Sequence, residues 1–231
     1  MRSESRYEQA YLVLAAVFIA ALVSCNLIFQ KFFVWEPFGL YRFEISVGIL
    51  PYPVTFLVTD VISEIYGKRR ADRVVKAGFI ASLFVMSFVL LADRVPQTAW
   101  SPVSGAEFHK VFGLFGPAVL ASMSAYLAAQ FIDIRVFHFW KRVTRGRHLW
   151  LRNNGSTMFS QLIDTAMVLL LLCVTGAIEW NRFGGLLANG YLFKVLVAAS
   201  DTPFFYAAVF LWRRTFAAEI QEAQAGDPTA A

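Results

Sequence analysis

Six long apolar runs separated by short polar segments account for almost the whole chain: Tyr11 to Phe29, Ile45 to Tyr66, Val74 to Ala92, Phe112 to Phe139, Met158 to Ile178 and Tyr191 to Trp212. A helix needs about 20 residues to cross roughly 30 Å of hydrocarbon, and each run meets that length. The pattern predicts an all-α membrane protein with six transmembrane helices in a single domain, residues 1–214. The segments between the runs leave no room for a soluble domain. The polar, Ala-rich end of the chain, residues 215–231, predicts a short cytoplasmic disordered tail. Two runs carry prolines. Pro51 and Pro53 in "ILPYPVTFLVTD" and Pro203 in "ASDTPFFY" remove amide donors and crowd the preceding turn, so the second and sixth spans are expected to be broken there. Broken spans with polar residues at the break mark binding sites in transporters.

Composition agrees with this layout, since 58% of residues are hydrophobic and 16% charged, against about a quarter charged in soluble domains. The basic residues then set an orientation, because Lys and Arg collect in cytoplasmic loops. Arg2 and Arg6, the group Lys68, Arg69, Arg70 and Arg73, the group Lys141, Arg142, Arg145, Arg147 and Arg152, and Arg213 with Arg214 all fall on one side of the predicted spans. They outnumber Lys31, Arg42, Arg94, Lys110 and Arg182 on the other, which places both termini in the cytoplasm. The net charge of +5 is thus a topology signal, and its division among short loops argues against a nucleic-acid surface. "LVSC" before Asn26 has the form of a lipoprotein cleavage box, but the leader balances its arginines with Glu4 and Glu8 and the apolar run continues past Cys25. Cys25 and Cys173 are the only cysteines and both lie inside spans, so neither a disulfide framework nor a Cys-rich metal site is supported.

Polar residues inside the spans carry the candidate chemistry, because an ionisable group in the hydrocarbon is costly and marks function by default. Asp60, Glu64 and Lys68 are spaced four apart along one helical face. Glu64 is expected to pair with Lys68 at the membrane exit, with Asp60 turned deeper into the bundle. Asp201 sits beside Pro203. "AAQFID" and "FSQLID" repeat one arrangement, placing Gln130 with Asp133 and Gln161 with Asp164, and a rise of about 1.5 Å per residue brings the two pairs to similar depth. Interhelical hydrogen bonding accounts for the glutamines, whereas two carboxylates at about 2.5 kcal/mol or more each favour a polar cavity to which Asp60 contributes. "RNNGSTMFSQ" is expected to lead into the fifth span, with Asn153, Asn154, Ser156 and Thr157 capping it and lining a vestibule. Tyr126 and Phe137 share the Gln130 and Asp133 face, where they either pack between helices or stack on a planar ligand.

"TDVISEIYGKRRA", "AQFID" and "RNNGSTMFSQLIDT" within a six-span layout resemble the queuosine precursor transporter family, earlier described as vitamin uptake transporters. The likeness covers the chain without its tails, and the first and third motifs are long enough to be specific. It implies import of 7-cyano-7-deazaguanine or 7-aminomethyl-7-deazaguanine across a bacterial inner membrane. Thr59, Asp60, Ser63, Glu64, Gln130, Asp133, Asn153, Asn154, Gln161 and Asp164 match its motifs. The expected partners are the lipid bilayer and a small planar deazaguanine-type molecule, with homo-oligomerisation left open and no cofactor required. The site set comprises Asp60, Gln130, Asp133, Asn154, Gln161, Asp164, Asp201, Glu64 and Tyr126. Two other classes compete: the substrate-binding membrane subunit of an energy-coupled uptake system, and an intramembrane aspartyl protease. The GxGD tetrad of the latter is missing from the sequence.

Overall fold

The computed structural model describes residues 6–28, 31–39, 41–113, 117–145, 147–174 and 179–226. Its long helices are α1 (Arg6–Ile28), α2 (Tyr52–Ile65), α3 (Lys68–Arg94), α5 (Pro117–Val143), α6 (Leu149–Val174) and α7 (Phe183–Thr215), with a short α4 (Gly105–Phe108) and a terminal α8 (Ala217–Gly226). The fold is that of an all-α membrane protein. Arg6–Ile28, Val47–Ile65, Lys68–Arg94 and Trp180–Thr215 are long and apolar enough to cross a bilayer. α5 and α6 have comparable lengths, 27 and 26 residues, but carry Gln130 and Asp133, and Asn154, Gln161 and Asp164, through their middles.

α2 is the hub, packing against α1, α3, α5 and α7, while α5 lies along α6 and α6 along α7. Every residue from Val58 to Ile65 is buried. Its 14 residues reach only about 21 Å at about 1.5 Å per residue, a length that suits a helix enclosed by others. The core around it joins Phe18 and Leu22 of α1, Phe56, Val61 and Ile62 of α2, Val74 and Val75 of α3, Ile134 and Phe137 of α5, and Phe205 and Val209 of α7. Lipid is as apolar as these side chains, so close approach at small residues helps hold such helices together. At Gly78 of α3 an added Cβ would stand 2.5 Å from the Phe18 ring. Ile80, Phe84, Phe88 and Leu91, each more than half exposed, line the outer stripe of the same helix, as a lipid-facing surface does.

The structure departs from the sequence pattern in several places. Residues 45–51 do not begin the second helix. Phe43–Ser46 pairs antiparallel with Phe32–Trp35, with Val34 opposite Glu44, and this hairpin of β1 and β2 leads through a turn at Val47–Ile49 into α2. Phe43 and Ile45, two apart and so on one face of the strand, pack onto Phe193 of α7. Pro51 and Pro53 stand at the start of α2, where a missing amide costs little. α7 runs unbroken through Pro203, contrary to the expected interruption, since membrane helices re-satisfy a freed carbonyl locally. α6 begins at Leu149, so "RNNGSTMFSQ" is helix rather than loop. The tail, expected to lack structure, continues as α8, with Ile220 buried against the core.

Candidate functional site

Two clusters of buried polar side chains lie close to a cleft between α2, α6 and α7. The deeper cluster forms a seam joining α2, α5 and α6. Asp60, Gln130 and Asp133 are each no more than 2% exposed. Thr59 donates to Gln130 Oε1 at 3.4 Å, Thr157 to Asp60 Oδ2 at 3.3 Å and Ser160 to Asp133 Oδ1 at 3.0 Å. The Asp60 and Asp133 carboxyls also meet within hydrogen-bond reach of each other. Asp60 Oδ1 and Asp133 Oδ2 nonetheless have no donor.

The cleft itself holds about 290 Å³ of empty space, lined by Ile49, Tyr52, Pro53, Phe56, Thr157, Gln161, Phe193, Lys194, Val197, Ala198 and Asp201. Aromatic and aliphatic walls with a few convergent polar groups are the usual make-up of a small-molecule site. Beside it lies the second cluster, in which Asp164 Oδ2 accepts from Tyr52 at 2.5 Å and from Lys194 at 2.6 Å. Lys194 Nζ also stands 4.6 Å from the centre of the Tyr52 ring, a cation–π contact. Gln161 Oε1 and Asp164 Oδ1 are buried without a donor, and their spacing of three puts both on one face of α6.

Thr157 and Gln161 of α6 therefore both face the cleft, and Thr157 links it to Asp60. The two Gln-Asp pairs do not meet in one cavity: Asp133 turns to Asp60 and Ser160, whereas Asp164 turns to Tyr52 and Lys194. Asn154, expected in a vestibule loop, is instead buried in α6, donating to Thr202 Oγ1 at 2.8 Å and accepting from the same hydroxyl at 3.2 Å, which ties α6 to α7 next to Asp201. Glu64 pairs with Arg213 of α7 and not with Lys68, which lies 3.7 Å from Asp72. The reason is orientation, since Glu64 is buried at the α2–α7 contact while Lys68 opens the next helix. Phe137 is fully buried and packs edge-on to Phe205, so it belongs to the core. The Tyr126 and Asn153 side chains lie outside the described residues. Tyr52, Lys194 and Thr202 were not among the residues expected at the site. Lys194 had a signal, a cation inside an apolar run, whereas Tyr52 and Thr202 looked like any aromatic or hydroxyl residue of a span.

A third group closes the opposite end of α2. Tyr7 donates to the Ile65 carbonyl at 3.1 Å, Tyr66 to the Tyr7 carbonyl at 3.0 Å, and Trp212 to the Tyr66 hydroxyl at 3.1 Å. Arg70 forks onto Glu8 at 2.7 and 2.8 Å and lies over the Tyr11 and Tyr66 rings. This bolt joins α1, the α2–α3 turn and α7. The cleft thus lies near Tyr52 at one end of α2 and this bolt near Tyr66 at the other.

Residues 46–208, which hold the hub helix, both clusters and the cleft, match the family described as putative vitamin uptake transporter. The chain belongs to that family. Within it, the chain is 32% identical over 174 residues to a "Probable queuosine precursor transporter" of Bacillus subtilis, covering 75% of this chain and 74% of that one. It is 29% identical over 164 residues to the "Queuosine precursor transporter" of Escherichia coli, covering 71% and 68%. No solved structure matches this vitamin uptake transporter family member.

Proposed function

We propose that the protein imports queuosine precursors, 7-cyano-7-deazaguanine or its 7-aminomethyl counterpart, across a bacterial inner membrane. It is a multi-pass transporter and not an enzyme, as its relatives are transporters. The observation that carries the substrate reading is the pair of buried acceptors without donors, Gln161 Oε1 and Asp164 Oδ1, one turn apart beside an aromatic-walled cleft. A deazaguanine presents a ring N–H and an exocyclic amine side by side, two donors for two waiting acceptors, and Tyr52, Phe56 and Phe193 supply apolar surface for its ring. Sites built to bond such an edge reject analogues that lack it, because their own groups are then left unpaired.

In this reading six helices cross the membrane and both termini are cytoplasmic. The bolt at Tyr7, Tyr66 and Arg70 then closes the inner end, and the cleft beside Tyr52 faces the outer half. The test is uptake of radiolabelled 7-cyano-7-deazaguanine by purified protein in liposomes. Saturable uptake competed by the 7-aminomethyl compound, but not by adenine, is the expected result. Gln161→Leu should lower it about tenfold, the scale of one lost hydrogen bond of about 1.4 kcal/mol, with the thermal midpoint unchanged. Normal uptake by that variant would remove Gln161 from the site.

A further inference from the structure

With the deazaguanine edge assigned to Gln161 and Asp164, the Asp60–Asp133 pair, whose members lie outside the cleft lining and bond each other and hydroxyls of α6, is left without a part. Its hydrogen-bonding pattern still asks for an explanation. An ionised carboxyl only accepts, so two carboxyls within hydrogen-bond reach satisfy each other only when a proton lies between them. Thr157 and Ser160 supply donors to one oxygen of each acid, and Asp60 Oδ1 and Asp133 Oδ2 remain without one. Both residues are fully enclosed in the bundle. No cation offsets the pair among the described residues. Asp201 of α7 is the other charged group acting on Asp60, and it is also an acid. From α6 the hydroxyls of Ser156, Thr157 and Ser160 reach Asp133. On α2 itself Glu64 is held by Arg213, and Lys194 of α7 by Asp164. The charges of α1 and α3 that pair near α2, Glu8 with Arg70 and Lys68 with Asp72, lie at its Ile65 end. Like charges this close cannot both stay ionised, and one shared proton answers both the repulsion and the missing donor.

We propose that Asp60 and Asp133 hold one transferable proton between them, and that this proton moves inward with the substrate, making the protein a proton symporter. The inference rests on the transport reading above. Thr157 connects the two sites: it lines the cleft and bonds Asp60, while Asp201 stands at the cleft wall as the group through which a proton reaches the pair. Uptake of one proton from outside, its sharing between the two acids and its release inside balance without any further reactant. One proton per substrate limits accumulation to about tenfold per unit of pH gradient.

The experiment uses the full chain in liposomes containing a trapped pH dye, with radiolabelled 7-cyano-7-deazaguanine outside. Wild-type protein should acidify the lumen when substrate is added without a gradient, and accumulation should rise about tenfold per imposed pH unit, acid outside. Asp133→Asn, whose amide cannot exchange a proton, should bring the ratio of uptake with and without the gradient to about one. Uptake without proton movement, or accumulation driven by a sodium gradient instead, would overturn the inference while leaving the transport reading intact. No uptake by wild-type protein under any gradient would overturn both. If Asp133→Asn carries no flux at all, the dye signal of the wild type decides.

Discussion

At the scale of single residues, burial and partner distinguish acids that look alike in sequence. Asp60 and Glu64 lie one turn apart on α2, yet Asp60 faces another acid while Glu64 faces Arg213. Asp60→Asn keeps the shape and removes the exchangeable proton, so gradient-driven uptake should be abolished while expression and thermal midpoint stay normal. Wild-type uptake by that variant between pH 5 and 8 would show the acid to be structural. Glu64→Gln should act the other way. It weakens a pair whose arginine side chain is 59% exposed, so it should lower the thermal midpoint by the equivalent of about 1 kcal/mol, leaving uptake per folded molecule near normal. The sequence exposed these acids because charge in an apolar run is conspicuous. It did not expose Tyr52 or Thr202, whose residue types are equally at home facing lipid, and it assigned Glu64 to Lys68 because spacing along a helix says nothing of a residue 149 positions away.

At the scale of elements, apolar periodicity located the helices but not all their ends. α6 starts at Leu149 because Asn154, Ser156 and Thr157 face the interior of a bundle, where a polar residue with a partner is as buried as leucine. A polar stretch at the end of an apolar run therefore has two meanings, loop or polar core, which the pattern alone does not separate. The hairpin of β1 and β2 escaped notice for a related reason: four-residue strands give too short an alternation to stand out beside long apolar runs. The α2–α3 junction is clearer. Gly67 adopts φ 82°, ψ 167°, a region open essentially to glycine alone, and this single residue turns the chain back between two packed helices. Gly67→Ala should cost about 1–3 kcal/mol, visible as a lowered thermal midpoint in detergent. An unchanged midpoint would mean that the turn has an alternative geometry.

At the scale of the whole molecule, the proposed orientation rests on the division of basic residues among the loops. A periplasm-active reporter fused after Arg182 should be active, and one fused after Arg147 silent; the reverse pattern would invert the cleft and the bolt. The enclosure of α2 has a consequence for how the chain is made. Asp60 and Glu64 each cost about 2.5–3.5 kcal/mol at the centre of a helix entering lipid alone, and this short segment emerges from the ribosome long before its partners. Asp133 is made 73 residues after Asp60, and Arg213 arrives 149 residues after Glu64. α2 must therefore wait, partly inserted or sheltered by the insertion machinery, until α5 to α7 are synthesised. Nascent chains arrested before Pro117 should leave a cysteine introduced at the buried Ser63, between the two acids, open to a water-soluble label, and chains arrested after Thr215 should protect it. Protection at the earlier length would mean that α1 and α3 alone shelter the acids.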